Sequence, residues 1–405
     1  MKYIILGAGP AGLSFASKLQ NSSEDNFIVL EKENISGGLC RSEDVDGAPF
    51  DIGGGHFLDV KRKSVTSFLF NFMPEYEWNL FERDSRILVN GSIISHPIEA
   101  NIWQMEIERQ IDYLKSISMA GCNVGKKMPE QFIDWIYWKL GDKIATDYML
   151  PYNRKVFAKE LNLLGTYWLD KLPNVSFEET LRSCLERKAY GKQPGHAKFY
   201  YPKKYGYGEV WKRIASSIEN HVEYNKEVIK LDAANKIVYT KDGGKYTGDI
   251  IVNTIPWMEF TEIIGMPKKM FEKLKQLKYS SIETAYFSDR METDAHWIYY
   301  PDAKVSYHRI LVRHNFCPNS KGYWTETNAE RIDKNNDNSL FKHMNKYAYP
   351  LNTLNKPRIM YEILEWGKEN KIYGLGRWGE HQHYNSDVTV ELALSMAEKL
   401  INNCR

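Results

Sequence analysis

The stretch KYIILGAGPAGLSFASKLQ, Lys2 to Gln20, constrains this chain more than any other. KYIIL is short, apolar and β-branched, the pattern of a strand buried on both faces of a parallel sheet. It runs directly into Gly7, Gly9 and Gly12, spaced Gly-x-Gly-x-x-Gly, and then into an amphipathic helix that opens at Pro10 and Ala11. NFIVLEK follows as a second strand, ending at Glu31 and Lys32. In that context each glycine has its own task. Gly7 makes the tight turn, Gly9 lets the backbone approach a pyrophosphate, and Gly12 lets helix and strand pack closely. The helix N-terminus offers unpaired N–H groups and a partial positive charge to phosphates. Glu31 can accept from both hydroxyls of a ribose, and its charge disfavours a 2′-phosphate there. The expectation is a dinucleotide site on an α/β doubly wound sheet.

The rest of the chain does not repeat this unit. From about Met105 to Gly191 it reads as helical and aromatic, as in MPEQFIDWIYWKLGDKIATDYML. KEVIKLDAANKIVYTKDGGKYTGDIIVNTIPW then reads as strand, hairpin and strand, with DGG as the turn. GDIIVNTIP is a buried strand that would return to the first sheet and stop at Pro256. A strand-rich region runs from SIETAYFSD to HRILVRHNF, NNDNS near Asp337 reads as a loop, and SDVTVELALSMAEKLI is a closing helix capped by Ser386 or Asp387. The expected organisation is a Rossmann-like cofactor domain assembled from discontinuous segments (1–75, 205–265 and 370–405). A mainly helical insert (100–200) and a β-sheet substrate domain (76–99 and 266–369) complete it.

Composition narrows the function classes. Of 405 residues, 43% are hydrophobic and 26% charged, which suffices for a large core. A net charge of +2 argues against nucleic acid as a partner. No apolar run approaches the roughly 20 residues of a membrane span. The first residues do not read as a secretory signal, because their glycines fall at a nucleotide-binding spacing and no small-residue cleavage site follows. The five cysteines (Cys40, Cys122, Cys184, Cys317 and Cys404) are scattered, which suits a reducing cytoplasm and offers no zinc site or disulfide framework.

Past Glu31 the sequence continues ISGGLCRSEDVDGAPFDIGGGHFLD, and near its end it reads GLGRWGEHQHYNSD. The first stretch resembles the FAD-binding N-terminus of the amine-oxidase and protoporphyrinogen-oxidase-like flavoproteins, a superfamily that includes the UDP-galactopyranose mutases. Three further stretches resemble the eukaryotic-type mutases: LPYNRKVFAKE, YPKKYGYGEVWKRIA and HWIYYPDAKVSYHRILVRHNFCP. The resemblance implies FAD as the held cofactor. Gly38, Leu39, Arg41 and Ser42 would lie along the pyrophosphate. Gly54, Gly55 and His56 would pass near the flavin ring, with one more glycine before His56 than the common family pattern. Val228, Gly376, Arg377, Asp387 and Val388 would complete the cofactor set, Arg377 placing positive charge beside a reduced flavin.

The implied reaction is interconversion of pyranose and furanose forms of a UDP-sugar, UDP-galactose or a relative. Reduced flavin N5 would attack the anomeric carbon, and NADH or NADPH would serve as transient reductant. The setting would be cell-surface polysaccharide synthesis. Arg309 would hold the leaving diphosphate, with Tyr299 as phenol donor and Trp297 beside the base. His56, Arg309 and Arg377 would carry the catalysis. Asn153, Phe157, Asn315 and Tyr384 would contact substrate. Arg83 would lie near the nicotinamide donor and flavin, as would Ser85. Departures from the family gather around the sugar and phosphates. Lys171 stands for an arginine, His96, Phe316 and His383 for tyrosines, and Glu99 for a glutamine. They point to a nucleotide sugar other than UDP-galactose. Two other readings share the N-terminus: an FAD oxidase or dehydrogenase of the amine-oxidase type, and a catalytically silent flavin-binding protein. No metal is expected, and a homo-oligomer is compatible with the sequence.

Overall fold

The computed structural model describes residues 1–22, 26–120, 125–169, 172–192, 195–333 and 338–402. NNDNS therefore lies largely outside the described residues. A five-stranded parallel sheet runs in the order Val222–Glu223, Phe27–Leu30, Tyr3–Leu6, Ile250–Asn253, Ile372–Gly374. GDIIVNTIP does return to the first strand: Tyr3 pairs with Ile250 and Leu6 with Asn253. Both faces of this sheet are covered, which is why its strands are apolar throughout. Tyr3 and Ile5 pack with Phe15, Leu19, Val390 and Ala393 of the helices Pro10–Gln20 and Ser386–Asn402. Ile4 and Leu6 pack with Leu231, Val238, Trp257 and Ile363 on the other face. That second layer holds a four-stranded sheet, Lys245–Thr247, Ile237–Thr240, Val228–Asp232 and Glu262–Ile264, whose first hairpin closes through the DGG turn. The helix Lys356–Glu369, expected with the substrate sheet, packs here instead, through Ile359, Met360 and Ile363.

A seven-stranded sheet follows the order Phe341–Pro350, Tyr279–Phe287, Tyr323–Asn328, Arg309–Leu311, Trp297–Tyr299, Ser85–Val89, Ser92–Ser95. All neighbours are antiparallel except Trp297–Tyr299 with Ser85–Val89. This register puts Arg309 opposite both Tyr299 and Glu326, and Trp297 opposite Ser85. The helices Ile107–Ala120, Phe132–Ile144, Leu150–Phe157 and Phe177–Glu186 surround their own core of Ile117, Phe132, Ile136 and Leu150. Phe177–Glu186 opens with a capping box in which Ser176 Oγ accepts from Glu179 N and the Glu179 carboxylate accepts from Ser176 N. The helical stretch stops before residue 200. Lys198–Pro202 is a strand between Leu58–Asp59 and Trp78–Glu82, so Trp78–Glu82 also leaves the expected substrate sheet. The alternation in KFYYP explains this, with Phe199 and Tyr201 fully buried and Lys198 exposed. Among the described residues no helix is long and apolar enough to cross a membrane.

Gly12 fixes the first turn against the first strand: a Cβ there would lie 2.0 Å from the Gly7 carbonyl oxygen. Gly12→Ala should therefore destabilise the protein by about 1–3 kcal/mol, as overpacking of a rigid contact does. The check is the urea midpoint, and a midpoint equal to wild type would mean that the turn opens freely.

Candidate functional site

The strand ends of the parallel sheet, the glycine turn and the strand Phe341–Pro350 enclose a cleft of about 300 Å³. Gly7, Gly9, Pro10, Ala11, Glu31, Lys32, Gly38, Leu39, Arg41, Val228, His56, Arg377 and Tyr384 all line it. At one end Glu31 is pinned by two backbone amides, Ala8 N to Oε2 at 2.7 Å and Glu33 N to Oε1 at 3.0 Å. Burial raises its pKa, and those amides hold it back. Beside it, Gly9 faces open space, the nearest atom to a Cβ there being Gly38 Cα at 3.9 Å. The helix Pro10–Gln20 has no side-chain cap, so its first N–H groups point into the cleft unclaimed by a side chain. Arg41 Nε is buried without a hydrogen-bond partner.

At the other end stand His56 and Arg377. His56 Nδ1 lies 3.0 Å from Gly54 O, and its ring is parallel to that of Tyr207. Burial, reinforced by Arg377, holds the imidazole pKa down to about 4. Arg377 spends its hydrogen bonds on carbonyls: Nε and Nη2 donate to Tyr384 O at 3.0 and 2.8 Å, and Nη1 donates to Ala348 O at 3.0 Å. No carboxylate neutralises it among the described residues. It is a desolvated cation at the mouth of the cleft.

The three glycines before His56 each have a packing reason. A Cβ on Gly53 would strike Leu39 O, one on Gly55 would strike Leu311, and one on Gly54 would lie 2.2 Å from Glu326 Oε1. Gly54 also has φ +86°. The extra glycine thus lets the loop lie flat on a buried ion pair. Gly12 and Gly376 lie just behind the cleft, Gly376 touching Ala11.

Beyond this loop lies a cluster of side chains around Tyr299. Arg83 stacks over Trp297 at 4.8 Å and reaches Tyr299 OH and His96 Nδ1. Trp297 Nε1 donates to Tyr299 OH at 3.0 Å. Tyr152 packs edge-on to Tyr299, and His383 packs against Tyr349. Burial, reinforced by Arg83, keeps His96 well below its usual pKa. Arg309 donates to Glu326 through Nε at 3.0 Å and Nη2 at 2.6 Å to either oxygen. Gly55 N donates to the same carboxylate at 3.3 Å, and His308 Nε2 lies 3.4 Å from it. Burial opposes ionisation of Glu326, but Arg309 and His308 outweigh it and take the pKa down to about 2.

Several expected site residues are committed elsewhere. Ser42 Oγ bonds Asp51 at 2.5 Å and accepts from Gly208 N at 2.7 Å, so it braces the fold rather than the cleft. Asn153 Nδ2 donates to Met149 O one turn back in its helix. Phe157 packs in the helical core, and Phe316 in an aromatic core with Phe57, Tyr201 and Trp324. Asn315 ties Thr293 O and Ala295 O together. Neither Ser386 nor Asp387 caps the final helix, which already begins at Ser386. Ser386 Oγ pairs with Tyr207 OH, and Asp387 Oδ2 accepts from Arg62, leaving its buried Oδ1 without a partner. Val388 is half-buried on that helix and does not line the cleft. Glu99 lies near Tyr148, whose phenol pKa is raised by burial first, with Tyr299 and then Glu99 adding to it. Lys171 lies outside the described residues. The sequence reading missed Glu326, Tyr349 and Asn345, which reach the site only through strand register.

Residues 5–71 match the family model of an NAD(P)-binding Rossmann-like domain. Over 103 residues the chain is 33% identical to an uncharacterized protein in the nifH2 3′ region of Methanothermococcus thermolithotrophicus, spanning 98% of that protein and 25% of this chain. The fold as a whole matches a crystal structure of reduced UDP-galactopyranose mutase, with a TM-score of 0.89 at 20% identity over 99% of this chain and 95% of that one. A protoporphyrinogen-oxidase-like protein from Exiguobacterium matches with a TM-score of 0.71 at 14% identity over 98% of each chain. The chain thus shares its fold with this mutase and with oxidase-like proteins. Its architecture is mixed α/β with a Rossmann-like domain.

Two outcomes follow for this site. Arg309→Ala leaves Glu326 as a buried, uncompensated charge and should cost about 3–5 kcal/mol of stability. Replacing both partners by Met and Leu should cost much less, which paired denaturation curves would show. His56 should remain neutral through the physiological range. Its ring proton shifts in NMR should stay constant from pH 8 to about pH 5 and move only near pH 4. A midpoint close to the ordinary 6.5 would mean that the imidazole is solvated.

Proposed function

We propose that the protein is an FAD-dependent mutase that interconverts pyranose and furanose forms of a nucleotide sugar, UDP-galactose or a relative. The observation that supports this reading is that the chain holds, besides a dinucleotide cleft, a cluster in which Arg83 stacks on Trp297 and contacts Tyr299, with Tyr152 and Arg309 beside Tyr299. An amine oxidase has no use for guanidinium and phenol groups at that place, whereas a leaving diphosphate does.

The cleft fits FAD. Glu31 would take the ribose hydroxyls, and the uncapped helix with Arg41 Nε the pyrophosphate. When bound and reduced, the flavin supplies a nucleophilic nitrogen and is regenerated without net oxidation. Arg377 then stabilises negative charge at that end, and its lack of a carboxylate partner leaves its field unspent. His56, neutral, contributes a hydrogen bond and no charge. Trp297 and the tyrosines exclude water from the anomeric centre. NADH or NADPH would serve only to prime the enzyme. The setting would be the cytoplasm, supplying cell-surface polysaccharide synthesis.

The purified protein should be yellow and release FAD. Reduced once under anaerobic conditions and given a UDP-sugar, it should form furanose product in large excess over flavin, with the flavin still reduced. One product per flavin with a change of redox state, or product only in the presence of oxygen, would assign it to the oxidases instead.

A further inference from the structure

Two neighbouring amides of the glycine loop reach two different buried carboxylates. Gly55 N donates to Glu326, which Arg309 pairs. The next N–H, that of His56, acts on Asp51 and favours its ionised form. Asp51 ends the strand Ala48–Asp51 and is fully buried. Its other partners are neutral donors, and among the described residues no lysine, arginine or histidine side chain pairs with it. Ser42 Oγ donates to Oδ1 at 2.5 Å, Tyr207 N to Oδ1 at 3.3 Å and Tyr201 OH to Oδ2 at 3.1 Å. One carboxylate thus joins the glycine loop, the strands Ser42–Val45 and Lys198–Pro202, and the turn before the helix Gly208–Ser217. That turn is shaped to reach it. A Cβ on Gly206 would lie 2.5 Å from Ser42 Oγ, and one on Gly208 would lie 2.4 Å from Ser42 N. The two backbones that meet Asp51 carry His56, which lines the cleft, and Tyr207, whose ring lies parallel to it with centroids 6.2 Å apart.

A carboxylate withdrawn from water without a cation is costly even when hydrogen-bonded. Burial outweighs the donors and raises the Asp51 pKa to about 7. The groups that face it keep their charge in that range. Burial raises the Cys40 and Cys317 thiols and the Tyr201 and Tyr207 phenols, and it holds His56 down to about 4. Arg313, which acts on Tyr201 and Cys317, and Arg377, which acts on Cys40 and His56, stay charged throughout. Asp51 is therefore the member of this group that titrates between pH 5 and pH 8.

We propose that Asp51 is the positioning residue for His56: its carboxylate meets the backbones of His56 and Tyr207 together and so sets the imidazole against the phenol at the end of the cleft. The geometry stands whatever the cleft binds, and the consequence for a cofactor rests on the FAD reading. Protonation puts a hydrogen on an oxygen at which donors already point, so part of this hold is lost as the pH falls through neutrality.

The test is a pH titration of the protein, saturated with FAD, followed by NMR. The amide shifts of Tyr207 and His56 should move together with a midpoint near pH 7, and Asp51→Asn should abolish that inflection. Ser42→Ala removes a donor to the carboxylate and should move the midpoint upward. Glu380 is also raised to about 7 but accepts from Gly376 N, so Glu380→Gln should leave the midpoint in place. In Asp51→Asn the His56 ring should titrate above its wild-type midpoint of about 4. The visible circular dichroism of the bound flavin should change there while its stoichiometry does not. An inflection absent from the wild type, or one that survives Asp51→Asn, overturns the assignment. So does an Asp51→Asn protein with the wild-type His56 midpoint and flavin dichroism, which would make Asp51 a brace of the fold only. If Asp51→Asn does not fold, Ser42→Ala decides: a raised midpoint upholds the assignment and an unmoved one overturns it. The inflection and the shifted His56 midpoint in a protein that takes up no FAD uphold Asp51 as the positioning residue and sink the flavin reading.

Discussion

The buried pair of Arg309 and Glu326 is the contact on which the site's geometry depends. Glu326 is fully buried, and its charge is tolerable only because Arg309 meets it through two nitrogens. Removing either partner strands the other in a low dielectric, so the pair is worth less as a source of stability than as a lock. What it locks is the glycine loop. Gly55 N donates to the carboxylate, and Gly54 lies so close that no Cβ fits between them. The loop delivers His56 to the end of the cleft. One ion pair across two strands of the seven-stranded sheet thus sets where the parallel-sheet domain presents its reactive end.

The parts of this arrangement legible in the sequence are those written in local pattern. The strand, the glycine spacing, the helix and the second strand follow from periodicity within thirty residues or so, and the structure places them as read. The return of GDIIVNTIP to the first strand was also legible, because a doubly buried strand has nowhere else to go. Side-chain commitments were not. Ser42 is claimed by Gly208, Asn315 by carbonyls near Thr293, and Asp387 by Arg62. Each partner is distant in sequence and belongs to an element whose position no local pattern gives. Glu326 is the sharpest case. In YWTETN it is one more residue of an alternating strand, and only the register that sets it opposite Arg309 makes it central.

Arg83, His96, Trp297 and Tyr299, which the resemblance groups at one site, are in direct contact in the structure. The resemblance could not distribute their charges. That distribution comes from counting acceptors: Arg377 and Arg83 end on neutral groups, Arg309 on a carboxylate. Two unbalanced cations therefore sit at different places, one at the cleft mouth beside His56 and one beside Tyr299.

This division also bears on His96, which stands where the resemblance to mutases leads one to expect a tyrosine. A histidine in a phosphate site is easily taken for a second cation. Here burial and Arg83 both oppose its protonation, so it joins the cluster around Tyr299 as a neutral acceptor and donor. The same holds for His56 beside Arg377 and for His308 under Glu326. Arg83, Arg309 and Arg377, which stand beside these histidines, carry guanidinium groups that do not titrate in proteins. Titration of these three imidazoles therefore adds little to the charge around them in the range where a free imidazole would change its own.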